Sequence, residues 1–212
     1  KALAELRIRR YPQPYGRSSH GELRAIQRIR LADIQDFFTR FYRPQGAILI
    51  VAGKLNWEQL CERVESLFGA WQADTAPPLQ EVPERGGYGH IQHESSQTHI
   101  AVAYPSVPYA DDQYFQARGA VGILSDGMSS RLFTEVREKR GLCYTVHASC
   151  HSLRDRGSVI CYAGTTTERA QETLDVVISE LQRLAAGIEA DELDRLKARI
   201  KSALIMQQES SN

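Results

Sequence analysis

Apolar positions recur along this chain with two different periods, and their alternation predicts the order of its elements. In LADIQDFFTRFY, Ile34, Phe37, Phe38 and Phe41 fall at i, i+3, i+4 and i+7. That spacing is the stripe of an amphipathic helix, and Pro44 stops it. AILIVAG, residues 47–53, is a short unbroken apolar run closed by glycine, the length of a buried strand. Asn56, with Gln59 three residues on, predicts the capped start of a helix whose apolar face is Leu60, Val64, Leu67 and Phe68. ADTAPPLQEVPERGGYG, residues 73–89, then carries three prolines, three glycines and no periodicity, which predicts a linker. The chain accordingly divides into a first domain at 1–74, a linker at 75–89 and a second domain at 90–212.

Beyond the linker the strand period dominates. THIAVAYP (98–105) predicts a strand, and DDQYFQARGAVGIL (111–124) a helix in spite of Gly119 and Gly122. SSRLFTEVREKRG (129–141) predicts a short helix capped by Ser129 or Ser130 and ended by Gly141, with Leu132, Phe133 and Val136 toward the core. LCYTVHASCHS and GSVICYAGT, separated by Arg154-Asp155-Arg156-Gly157, read as a hairpin. A helix follows with Ala170, Leu174, Val177, Ile178, Leu181 and Leu184 on one face and Thr166 or Thr167 as its cap. The last helix carries Leu193, Leu196, Ile200, Ala203 and Leu204. Strands that come in hairpin-like pairs, mixed with helices, predict an α+β fold: a mainly antiparallel sheet packed by helices.

Composition adds exclusions. In 212 residues, 26 basic side chains balance 26 acidic ones, so charge implies neither a nucleic-acid nor a membrane partner. No apolar run approaches the roughly 18 residues of a membrane span, and KALAELRIRR has no apolar signal core. A soluble protein is expected, cytoplasmic or periplasmic, with the compartment left open. Four cysteines without a C-x-x-C pair do not make a disulfide framework. Both ends fall in mid-pattern, which predicts a piece of a longer polypeptide.

Three candidate chemistries involve His and Cys. His90 and His93, with or without His99, lack the spacing of either helical zinc motif, which needs two histidines four apart. Cys143, His147 and His151 share one strand parity and Cys150 has the other. At about 3.3 Å per residue they are spread too far to share an ion held at about 2.0–2.3 Å. A Cys143–His147 nucleophile would need a hydrogen bond that the spacing does not arrange, and a buried core thiol is the plainer reading. A fourth candidate is Arg137 with Tyr144. Gly141 lets the chain turn between them, so two hydrogen-bond donors can converge on a peptide carbonyl or a developing oxyanion. The plainer reading of that pair is a surface Arg and a half-buried Tyr.

SSRLFTEVREKRGLCYTV closely resembles the signature of the C-terminal halves of pitrilysin/insulinase-type zinc metallopeptidases. Pro14-Tyr15-Gly16, Gly21, Tyr42-Arg43-Pro44 and Val51-Ala52-Gly53 resemble the end of that family's N-terminal domain, past its zinc ligands. The resemblance implies that Arg137 and Tyr144 hold a peptide or protein substrate at a zinc site. It also implies that the second domain is the inactive, substrate-handling one, truncated at its C-terminus. The family's H-x-x-E-H occurs nowhere in the chain. The Zn2+ and its ligands would therefore lie outside it, on a missing N-terminal catalytic segment or a partner subunit. The chain alone is expected to be inactive and to bind no metal. The implied function is part of a zinc metalloendopeptidase. The alternative is a non-catalytic partner or assembly subunit of a two-subunit peptidase, in a homo- or heterodimer.

Overall fold

The computed structural model describes residues 1–72 and 78–209. Residues 75–77 of the expected linker lie outside the described residues. The elements run α1 (Ala2–Arg10), α2 (Leu23–Ile26), α3 (Leu31–Phe41), α4 (Trp57–Phe68), β1 (Thr98–Ser106) and α5 (Tyr114–Ser125). A π-helix (Phe133–Glu138), β2 (Cys143–Ser152), β3 (Gly157–Thr165), α6 (Ala170–Ala186) and α7 (Ala190–Glu209) follow. They form two compact units: Lys1–Gly16 with Pro83–Asn212, and Arg17–Val82.

The larger unit is built on an antiparallel sheet in the order β1-β3-β2. β2 and β3 are the expected hairpin, closed where the Leu153 N–H donates to the Arg156 carbonyl at 2.7 Å. α5, α6 and the π-helix supply the core with the sheet: Leu124, Leu132, Val136, Leu142, Cys143, Cys161 and Val177 are all buried together. α1 packs along β1, with Arg10 Nη2 donating to the Gly157 carbonyl at 3.0 Å and the Tyr11 hydroxyl to the His151 carbonyl at 3.0 Å. α7 packs on α5. The glycines that weakened α5 as a helix face Leu196 of α7. A Cβ on Gly122 would stand 2.8 Å from the Leu196 Cδ1, so the missing side chain lets the two helices approach. The α+β architecture expected from the strand pairing is the one observed.

Two expected caps are not made. α6 begins after Arg169 with no side-chain cap, so neither Thr166 nor Thr167 serves it. The Ser130 hydroxyl instead donates back to the Gly127 carbonyl at 2.7 Å, which fixes the turn before the π-helix. The expected α-helix at 129–141 is mostly π. The Lys139 N–H reaches the Thr134 carbonyl at 2.9 Å, five residues back. Leu132 and Val136 are fully buried as expected, but Phe133 is only half-buried.

The smaller unit holds α2, α3 and α4. The Asn56 side chain accepts the Gln59 N–H at 3.0 Å, so the expected cap of α4 is present. The stripe on α3 is present too, with Phe37 against Phe41 and Phe38 against Tyr42, each at 4.7 Å between centroids. The expected buried strand at 47–53 is not formed. Ile48 is 85% exposed and Ile50 84%. A strand needs a neighbour to take its N–H and C=O groups, and the described residues of Arg17–Val82 contain no strand.

Candidate functional site

Arg137 lies in the last turn of the π-helix and Tyr144 near the start of β2. The chain reverses between them at Gly141, whose φ is +59°, a left-handed conformation that glycine adopts without the Cβ penalty. The Leu142 N–H bonds the Val136 carbonyl at 2.9 Å and the Gly141 N–H the Arg137 carbonyl at 3.1 Å. Each of these bonds is one residue wider than in the glycine cap of a regular α-helix, as the π register requires. Arg169 Nη1 donates to the Gly141 carbonyl at 2.6 Å, and the Thr165 hydroxyl to the Leu142 carbonyl at 2.6 Å. The turn is thereby held from α6 and β3.

Tyr144 reaches the surface through a β-bulge. Cys143 pairs with Thr165 and Thr145 with Gly164, so Tyr144 is the extra residue in β2. It is 77% exposed. The Arg137 guanidinium carbon lies 5.0 Å from the centroid of the Tyr144 ring and 4.9 Å from that of Phe133. Among the described residues, no hydrogen bond or ion pair engages the Arg137 side chain. A cation is therefore held by ring faces, beside a phenol, with its N–H donors uncommitted.

The same bulge undoes the expected grouping of Cys and His. The extra residue reverses the parity of β2, so Cys143 belongs to the core face together with Val146 and Ala148. His147 is on the opposite, outer face, 5.2 Å from the Tyr162 ring. Cys143 and His147 therefore do not meet, and the nucleophile reading fails on geometry. Burial pushes the Cys143 thiol up, partly offset by the charge of Arg137. His151 is lowered by burial and by the neighbouring Arg7 and His147. His90 and His93 sit on exposed irregular chain, and His99 Nδ1 is 2.8 Å from the Tyr162 hydroxyl. Among the described residues, no three His, Cys, Asp or Glu side chains come together to hold a metal ion. Zinc therefore does not fit the described residues. Phe133, which the spacing assigned to the core, is the one member of the constellation that sequence reasoning missed. Its position four residues before Arg137 was the available signal.

Residues 28–200 match the family described as the peptidase M16 inactive domain. The chain belongs to that family. It is 26% identical over 198 residues to an uncharacterized zinc protease of Rickettsia bellii, covering 93% of this chain and 48% of that protein. It is 28% identical over 205 residues to an uncharacterized zinc protease of Streptomyces coelicolor, covering 90% and 44%. The crystal structure of a peptidase M16 inactive domain from Pseudomonas fluorescens superposes with a TM-score of 0.83 at 28% identity, over 98% of this chain and 52% of that one. A protease from Helicobacter pylori shares the fold, with a TM-score of 0.80 at 24% identity over 94% of this chain and 50% of that one. The chain spans about half the length of the curated relatives it matches. The resemblance carried by SSRLFTEVREKRGLCYTV thus agrees with the family match. No helix among the described residues is long and apolar enough to cross a membrane.

Proposed function

We propose that this M16 inactive domain supplies the substrate-handling side of a zinc metalloendopeptidase, with the metal and its ligands on a part of the protein outside this chain. Arg137 and Tyr144 donate hydrogen bonds to main-chain carbonyls of an extended peptide and so orient it toward the hydrolytic centre. The observation that carries this reading is the Arg137 guanidinium. It lies 4.9 and 5.0 Å from the centroids of two rings and has no acceptor among the described residues, beside a phenol that projects from a bulge. Donors placed before substrate arrives stabilise developing negative charge on a carbonyl oxygen without reorganising during the reaction. The names of the relatives support the zinc protease class.

Arg137→Ala and Tyr144→Phe in the full-length protein test the assignment. Each is expected to lower kcat/KM for peptide hydrolysis by about 100- to 1000-fold, by analogy with the loss of a single oxyanion donor. Zinc content stays at the wild-type level. Unchanged turnover in both variants removes these residues from the mechanism. A full-length protein that neither carries H-x-x-E-H nor cleaves peptides is instead a non-catalytic partner subunit.

A further inference from the structure

We propose that Phe133 is a positioning residue for Arg137, acting as a ring platform that orders the guanidinium while leaving its donors unspent. This inference rests on the peptidase reading for its catalytic consequence, but not for its structural one. Along the π-helix, a four-residue step joins Leu132 to Val136 and Phe133 to Arg137. The first pair is fully buried. The second lies one position over, at the rim, where Phe133 is half-buried and Arg137 exposed. Phe133 is accordingly not one of the buried core residues that include Leu132 and Val136. Its ring lies 4.9 Å from the Arg137 guanidinium carbon.

The chemistry of the arrangement gives the ring a purpose. An arginine is usually ordered at a surface by a carboxylate, whose two oxygens consume its fork of donors. The neighbouring basic side chains follow that pattern. Lys139 Nζ and Arg140 Nη1 each donate to the Glu135 carboxylate at 2.7 Å. Arg137 has no such partner among the described residues. Ring faces attract the cation without supplying an oxygen acceptor. Phe133 on one element and Tyr144 on the next therefore restrict a long, rotamer-rich side chain and keep its N–H groups available. Tyr144, being exposed, also contributes its hydroxyl. Phe133 has no polar atom and contributes only the platform.

Two measurements test this. The first uses the 212-residue chain itself and needs no activity. The side-chain proton resonances of Arg137, assigned by their disappearance in Arg137→Lys, are expected upfield of the other arginines because of ring currents. Phe133→Leu moves them toward the unshifted position, and Phe133→Tyr restores them. If Phe133→Leu leaves the Arg137 resonances where they were, the proposal is wrong. The second measurement is kcat and KM of the full-length protein. Phe133→Leu is expected to lower kcat/KM about two- to fivefold, the equivalent of one cation–π contact at an exposed site. Zinc content is unchanged and Phe133→Tyr stays at the wild-type level. Equal losses in the Leu and Tyr variants would assign Phe133 to packing and overturn the proposal. A wild-type full-length protein without peptide hydrolysis sinks the peptidase reading alone, and the resonances then decide the positioning of Arg137.

Discussion

Tyr144 stands out from β2 because one residue is inserted in that strand, and the insertion has a second effect that decides the fate of the cysteines. It carries Cys143 to the helix-covered face, where α6 and the π-helix bury it with Cys161. Burial raises both thiols, that of Cys161 to about 12. A thiol that stays protonated at neutral pH is a poor nucleophile. Cys61, by contrast, is exposed. Iodoacetamide at pH 8 should therefore label Cys61 in the folded chain, with Cys143 and Cys161 reacting only after urea is added. Peptide mapping of the label checks this, and labelling of Cys143 as fast as Cys61 would contradict the burial described above. The Arg137–Tyr144 pair was open to reading from residue types and from Gly141. The bulge was not, because no glycine or proline marks it, and a single inserted residue leaves the apolar composition of β2 unchanged.

At the level of elements, the periodic segments of the larger unit were legible because packing agrees with their local pattern. β3 is buried almost throughout, and Val102 of β1, Val146 and Ala148 of β2 and Val177, Leu181 and Leu184 of α6 turn to the same core, whereas Leu174 and Ile178 of the expected α6 stripe are half-buried and Thr173 and Glu180 are buried instead. The π-helix was not legible, since five-residue bonds such as Lys139 N–H to the Thr134 carbonyl leave no mark on the apolar spacing. Its start is tied to α7 by a part-buried ion pair that no periodicity announces. Arg131 Nε and Nη2 donate to the two oxygens of Glu192 at 2.7 and 2.6 Å, and Nη2 also donates to the Gly187 carbonyl at 2.9 Å. The Arg131 hydrogen bonds lower the Glu192 carboxyl from 4.5 to about 2. A carboxyl that titrates lower when folded stabilises fully above pH 4.5 and loses that contribution as pH falls toward 2. Glu192→Gln removes the carboxylate that neutralises Arg131 and leaves the Gly187 carbonyl as its charge-free partner, and should lower unfolding free energy at pH 7 by about 1.5–3 kcal/mol. Urea titrations of wild type and variant should converge between pH 4.5 and 2 as the wild-type carboxylate is protonated. A gap that persists undiminished at pH 2 would show that the pair is not what separates them.

Across the whole molecule, local pattern and buried core part company along α7, where Leu193, Ile200 and Leu204 of the expected stripe are exposed and only Leu196 is buried, and throughout the smaller unit. Among the described residues of Arg17–Val82, none is buried, although α3 and α4 have the apolar stripes that usually announce a core-facing helix. Most of a helix's stability in a protein comes from burying such a stripe, and isolated helices shorter than about 12–15 residues are marginal in water. AILIVAG is the extended counterpart of the same situation: an apolar run without a strand beside it. In β3, by contrast, Val159, Ile160, Cys161 and Ala163 are nearly inaccessible, and the strand is paired on both sides. The two units should therefore differ sharply in local opening. Hydrogen exchange of the 212-residue chain at neutral pH should show the β3 amides as the slowest. The α4 amides should exchange orders of magnitude faster, in spite of their helical geometry and the Asn56 cap. If α4 were protected as strongly as β3, its stripe would be buried in solution, against the exposure described for Arg17–Val82.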